Sequence, residues 1–347
     1  MKAVLLHQHG PVENLQFVTD HPTPEPGPSQ VRVKIMASAL NRLDIWVRDG
    51  WPGLKLPMPH ILGSDGAGLV DALGPNVTRW QIGQRVSIAP GTVDCEGCEW
   101  CDKGMENLCD QYHILGETTG GTYCEYIVVK ERDLLLLPDH MSFEEGAAAG
   151  LVFVTAWHSL IVRGNLRPGE SVLIIGAGGG VNTASIQIAK LVGCEVYVVG
   201  SSDEKLAKAR DLGADHLINR NAVEDGNWGK AIFKMTNRRG VDVVVDNVGA
   251  PTMMMSIRAA RKGGRVITVG NTGGPIFQFD NRYLFFRSVN LIGSTMGTFA
   301  DYRDVMALIA KGKLKPVVGP TFALEDIATA HRKMEADDFF GKIILKP

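Results

Sequence analysis

The chain has 347 residues, a formal net charge of −2 and 45% hydrophobic side chains. That length suits about two domains with ordinary buried cores, and the charge carries no basic excess for nucleic acid or an anionic membrane. The N-terminal MKAVLLHQHGPVENL lacks the apolar run and cleavage site of a secretory signal. No uncharged apolar segment reaches the roughly 20 residues of a membrane-crossing helix. Four of the six cysteines fall in one 15-residue window. That clustering suits metal binding in a reducing cytoplasm better than a disulfide framework.

The first 150 residues contain β-rich runs, VRVKIMASAL and QRVSIAP among them, punctuated by proline and glycine. The four cysteines follow as CEGCEWCDKGMENLC, from Cys95 to Cys109, spaced C-x2-C-x2-C-x7-C. Four thiolates at this spacing bind zinc tetrahedrally and close its coordination sphere. A catalytic zinc must keep one position open. Cys95, Cys98, Cys101 and Cys109 are therefore read as holding a structural zinc that pins a loop; four free surface thiols are the alternative. TYCEYIVVKERDLLLLP reads as a further strand pair.

From about residue 168 the pattern changes. PGESVLIIGAGGG enters a glycine turn, VNTASIQIAKLVG has helical spacing, and CEVYVVG is a second strand. KLAKARDLGA, GVDVVVDNVG and GGRVITVGN continue the alternation, so the fold class is α/β with a parallel doubly wound sheet. After about residue 295 the alternation weakens, and YRDVMALIAKGKL and LEDIATAHRKMEA read as helices.

GAGGGVN sits between a strand and a helix, where small residues let the backbone approach a pyrophosphate at a helix N-terminus. Ala177, Gly179, Gly180 and Val181 are the cofactor candidates here. Asn182 occupies the third glycine position of A-x-G-G-V-G, which predicts a slightly displaced helix. An NAD site would place Asp or Glu at the end of the second strand for the ribose 2′-hydroxyl. Gly200 stands there instead, followed by Ser201, Ser202 and Lys205, with Arg220 after the next strand. Hydroxyls and cations bind a 2′-phosphate, so NADP is expected; Asp203 or Glu204 serving NAD, with Lys205 and Arg220 as surface charges, is the alternative. Val248 and Gly270, at the ends of the next two strands, complete the set.

Together these motifs resemble the medium-chain dehydrogenase/reductase superfamily, which includes zinc-type alcohol dehydrogenases and quinone oxidoreductases. The likeness spans KAVLLHQHG, PHILGSDGAGLV, the cysteine lobe, the Rossmann half and the closing FGKIILKP. It implies a β-rich GroES-like catalytic domain over 1–152 with a zinc lobe at about 92–112. A Rossmann domain over 153–295 interrupts it, and 296–347 completes it. The resemblance further implies an active site in the cleft between the domains and a homodimer or homotetramer.

An alcohol dehydrogenase holds its catalytic zinc with two cysteines and a histidine. At the matching positions this chain has Asn41, Ser64 and Leu151, and Leu43 replaces the hydroxyl that relays the alcohol proton. A site rebuilt from Asp44, Asp65 and His60 is a weaker option, because Asn and Ser are poor zinc ligands. Without an ion to acidify a bound oxygen, oxidation of a simple alcohol is poorly supported. Conjugate reduction asks only that hydrogen-bond donors hold an enolate.

The zinc-free branch of the family is similar in its N-x-x-D pattern, Asn41 and Asp44. That likeness implies that Asn41 and Ser64 donate to the substrate carbonyl. It makes Asp44 an orienting group, with a structural carboxylate capping nearby amides as an equal alternative. Arg42 matches a pyrophosphate contact, or else a surface salt bridge; Thr155 and Val181 match nicotinamide neighbours, or else helix core. Trp46 and Trp51 are expected to line the substrate cleft. The expected activity is NADPH-dependent reduction of an activated C=C bond in a small molecule. Its rivals are a zinc alcohol/aldehyde dehydrogenase and a non-catalytic NADPH-binding protein.

Overall fold

The computed structural model describes residues 1–347. The chain divides into two units, Met1–Val154 with Thr298–Pro347, and Thr155–Gly297.

The first unit is built on a seven-stranded sheet. Along its path run Val318–Ala323, Lys342–Lys346, Gln30–Ala39, Asp65–Leu73, Arg85–Ile88 and Leu134–Leu136, with Tyr126–Lys130 also pairing to Gln30–Ala39. In Gln30–Ala39, Val31, Val33, Ile35 and Ala37 are buried at every second residue, the period a strand with one face on a core requires. A core of Val4, Leu6, Leu40, Leu62, Tyr123 and Ile343 lies among these elements. Register then decides the site. Ala39 pairs with Asp65 on one side and with Ile344 on the other. Asn41 lies two residues past Ala39, and Lys342 two residues before Ile344. Three residues far apart in sequence therefore meet at one end of the sheet.

The second unit is a six-stranded, wholly parallel sheet. Numbered along the chain within this unit, the strands lie in the order 3-2-1-4-5-6: His216–Asn219, Glu195–Gly200, Ser171–Ile175, Val241–Asp246, Ala260–Thr268 and Asn290–Gly293. This is the Rossmann order, with its ligand crevice outside the strand ends where the order reverses. Val172, Ile174, Val198, Val243 and Val266 are fully buried, as strands covered on both faces demand. The apolar helix Phe143–Arg163 is long enough to cross a membrane, but 78% of its most apolar stretch is buried inside the protein. The Met253–Met255 run opens the helix Met253–Ala259 and Met253 is core, a packing role.

Candidate active site and metal centre

The four-cysteine lobe hangs on the short ladder Gly91–Val93 with Tyr112–Ile114. The ligand sulfurs of Cys95, Cys98, Cys101 and Cys109 all lie within 4.8 Å of one another. Tetrahedral zinc with Zn–S bonds of about 2.3 Å would separate its sulfurs by about 3.8 Å, and Cys98 Sγ lies 3.7 Å from Cys109 Sγ. Backbone N–H groups of Gly97 and Gln111 donate to Cys95 and Cys109. Amides from Cys101 and Trp100 help bring the Cys98 thiol down to about 7. These sulfurs fit a zinc ion, and with four thiolates the sphere is closed. Glu106 ties the lobe to the unit's C-terminal segment by accepting from the Phe299 N–H at 2.5 Å.

At the sheet end, Asp65 is fully buried and its carboxylate is saturated. Oδ2 accepts from Asn41 Nδ2 at 2.9 Å and from Lys342 Nζ at 2.9 Å, and Oδ1 accepts from the Leu151 backbone N–H at 2.6 Å. Lys342 Nζ also donates to Asn41 Oδ1 at 2.5 Å, and its side chain is only 4% exposed. The helix carrying Leu151 comes this close because Gly150 has no side chain: a Cβ there would lie 2.2 Å from Asp65 Oδ1. Leu151, at the position of the third zinc ligand, contributes its backbone rather than its side chain. The Asn41 amide is committed inward, its nitrogen to Asp65 and, at 3.5 Å, to Ala39 O. The buried Ser64 hydroxyl has no partner within the protein.

Asp44 caps the helix Arg42–Asp49, its Oδ2 accepting from the Asn41 N–H at 2.7 Å and from the Tyr123 hydroxyl at 2.6 Å. Burial, opposed by those two donors, pushes its carboxyl up to about 6, and its Oδ1 is unpartnered. The capping role is thus present in the structure. Arg42 pairs with Asp337 at 2.6 Å. Trp46 is half-buried, Trp51 is 40% exposed, and His60 bonds Gly116 O inside the core.

A catalytic zinc does not fit here. Amide, hydroxyl and leucine stand at the three ligand positions, and the Asp65 carboxylate beside them is already shared with an ammonium. A divalent ion bonded to Asp65 Oδ2 would lie within about 5 Å of that ammonium. At an effective dielectric of about 20, their repulsion would be about 7 kcal/mol.

In the second unit the glycine turn leads into the helix Gly180–Val192, with Gly179 as its N-cap. Asn182 anchors this helix. Its Nδ2 donates to Ile175 O at 2.6 Å and its Oδ1 accepts from Asn247 at 3.0 Å. Gly200 is closely packed: an added Cβ would lie 2.9 Å from the Leu206 side chain and 3.1 Å from Ala177. Ser202 caps the helix Asp203–Asp211 by accepting from the Lys205 N–H. Asp203 is held by Asn219 at 2.7 Å, and the Arg220 N–H donates to Gly200 O, so Ser201, Ser202, Lys205 and Arg220 flank one strand end. Thr155 is buried beside Met296, and Val181 is half-buried in the first turn of its helix. Val248 and Gly270 follow neighbouring strands. The loop carrying Val248 is ordered by buried Asp246, which accepts from the Val248 and Gly249 N–H groups, Thr252 and Ser256.

Sequence reading missed Lys342, Tyr123 and Asp246, and weighed Asp65 only as a metal ligand. A lysine opening the apolar strand KIILK was a signal, because a charge at that register needs a partner.

Residues 27–139 match the alcohol dehydrogenase GroES-like domain and 180–311 the zinc-binding dehydrogenase family. The chain is 32% identical to a crotonyl-CoA reductase of Streptomyces avermitilis, over 93% of this chain and 80% of that one. A solved NAD-dependent alcohol dehydrogenase is 43% identical with TM-score 0.95, each chain covered in full. A crotonyl-CoA carboxylase/reductase solved in complex with NADP is 28% identical with TM-score 0.89, covering 100% of this chain and 94% of that one. With both family domains, the Rossmann strand order and relatives matched along nearly its whole length, the chain belongs to the medium-chain dehydrogenase/reductase superfamily of oxidoreductases.

Proposed function

We propose that this enzyme is an NADPH-dependent reductase of carbon–carbon double bonds conjugated to a carbonyl: enals, enones, quinones or enoyl thioesters. The observation that carries the reading is the Asn41–Asp65–Lys342 cluster, which fills the place of an alcohol-activating zinc with groups that donate hydrogen bonds. The likeness to a crotonyl-CoA reductase and to an NADP complex supports the substrate class and the cofactor.

When bound, the reduced nicotinamide supplies a hydride. The substrate's β-carbon takes that hydride and its α-carbon a proton from solvent, so the C=C bond becomes a single bond and no other redox partner is needed. The chain's own task is to bind, orient and hold the carbonyl oxygen while negative charge gathers on it. The unpartnered Ser64 hydroxyl suits that task better than the committed Asn41 amide; Asp44 orients Asn41 from behind. For the cofactor, Ala177, Gly179, Gly180 and Val181 would receive the pyrophosphate with Arg42. Thr155, Val248 and Gly270 would border the nicotinamide. Ser201, Ser202, Lys205 and Arg220 would take the 2′-phosphate, with no carboxylate at Gly200 to repel it.

Purified protein given NADPH and a 2-alkenal should yield the saturated aldehyde, with NADPH preferred to NADH by about tenfold or more in kcat/KM. The 43% identity to an NAD-dependent alcohol dehydrogenase favours a second reading, carbonyl–alcohol interconversion. An allylic alcohol as the product would select that one and sink the first.

The reading also includes self-association. The strand Asn290–Gly293 pairs on one side only, and Ile276 and Phe286 in the same unit are 85% and 73% exposed. An open edge beside apolar side chains suits a second copy of the chain. Light scattering should return two or four times 37.6 kDa, and a monomer would refute it. The four ligand thiolates need a reducing compartment, so the reading is of a cytoplasmic enzyme.

A further inference from the structure

The helix Asp203–Asp211 opens just past the end of the second Rossmann strand with two acids, Asp203 and Glu204. Acids suit the positive end of a helix, but these two stand beside the strand end that receives the 2′-phosphate of NADP. Each is held by a partner. Glu204 pairs with Lys208 at 2.7 Å, one turn along its own helix. Asp203 is held from outside the helix, its Oδ1 accepting from Asn219 Nδ2 at 2.7 Å. Asn219 ends the third strand, directly opposite Gly200 at the end of the second. The carboxylate is thereby drawn toward the third strand, on the far side of the second strand from the glycine turn. The Asn219 amide is itself fixed: its Oδ1 accepts from the Asn221 N–H at 3.0 Å, and Asn221 Nδ2 donates back to Ser201 O at 2.9 Å. The bond between Asn221 and Ser201 ties the two loops together without Asp203, so the tie alone does not call for an amide that grips a carboxylate.

We propose that Asn219 is a positioning residue for cofactor choice: by holding the Asp203 carboxylate at the third strand, it keeps that negative charge off the 2′-phosphate of NADP. The proposal rests on the NADPH reading above. Asp203, Ser201 and Arg220 are exposed, so this strand end is open to a ligand from solvent. A released carboxylate would act twice, and both effects run the same way. It would repel a 2′-phosphate, and it would accept from the ribose 2′-hydroxyl that NAD offers in the phosphate's place. Asn219 touches neither cofactor in this scheme; it acts through Asp203 alone, and no covalent bond forms or breaks.

Equilibrium titration of the purified enzyme with NADPH and with NADH, followed by nicotinamide fluorescence, tests this without any substrate. In Asn219→Ala the ratio of the NADH Kd to the NADPH Kd should fall at least about fivefold. In an Asp203→Ala background the same substitution should change that ratio by less than about twofold, because no carboxylate is left to release. Asn221→Ala removes the tie to Ser201 but leaves Asp203 held, and its ratio should stay within about twofold of the parent's. That control separates carboxylate placement from loop order. An Asn219→Ala ratio within about twofold of the parent's, or an equal fall in the Asp203→Ala background, would overturn the proposal. Should Asn219→Ala not fold, Asn219→Val, which suits a strand end, replaces it under the same thresholds. A parent that binds NADH as tightly as NADPH ends the NADPH reading, and the NADPH Kd alone then decides the role of Asn219. A rise of at least about threefold that vanishes in the Asp203→Ala background upholds it, and no rise overturns it.

Discussion

Replacing Asp65 by alanine will lower the stability of the protein by about 3–5 kcal/mol, the cost of leaving one member of a buried ion pair alone. Asp65 is fully buried, and its loss would strand the Lys342 ammonium, the Asn41 amide and the Leu151 N–H together. Each is a buried donor that would lose a short hydrogen bond, and the ammonium, left with Asn41 Oδ1, would lose its counter-charge. The expected fall in melting temperature is roughly 10 °C for a unit of this size. The double variant Asp65→Ala/Lys342→Met should recover part of the loss, because it removes the uncompensated charge. The two substitutions are in direct contact and must not add. A single Asp65→Ala variant melting within about 2 °C of the parent would show that the pair is not buried in solution as it is here.

Removing the zinc is expected to have an effect of similar size by a different route. Between Cys95 and Cys109 the lobe has one four-residue helix and a short 3-10 turn, and little apolar burial besides Cys109 itself. Its order must come from the ion, because four thiolates within 4.8 Å of one another repel unless a cation sits among them. Cys98→Ser should drop bound zinc from one per chain to below about 0.1 and expose residues 91–114 to proteolysis. Through Glu106 the loss should also loosen the start of the helix Phe299–Ala310, whose first N–H that carboxylate receives. Limited proteolysis with mass-spectrometric mapping reads both effects. A resistant lobe in the zinc-free variant would mean that its backbone ladder suffices. The same variant should keep its NADPH affinity, since the cofactor candidates bar Arg42 lie in the second unit.

How much of this was legible in the sequence depends on how local each cause is. The glycine turn between Ile175 and Gly180, the helix that follows it and the cysteine spacing are all fixed within about fifteen residues, so period and ligand spacing disclosed them. The absent zinc ligands at Asn41, Ser64 and Leu151 could likewise be read by position. What replaced them could not. Lys342 stands 277 residues from Asp65 along the chain, and only the register Ala39↔Asp65 and Ile344↔Ala39 brings them within 2.9 Å. Asn182 shows the same limit on a smaller scale. The substitution anchors its helix, because Ile175 O and Asn247 supply partners the sequence does not display.

The sequence by itself therefore disclosed the family, the Rossmann half and the cysteine cluster that can hold a structural zinc, each from residues that act on near neighbours. The tertiary structure alone decided which polar groups are spent on one another and which remain to act. It committed the Asn41 amide, saturated Asp65 and left a hydroxyl at Ser64 and one ammonium proton at Lys342 unpaired. Hydrogen bonding in a buried site is a matter of ångströms between distant strands, and strand register fixes those distances.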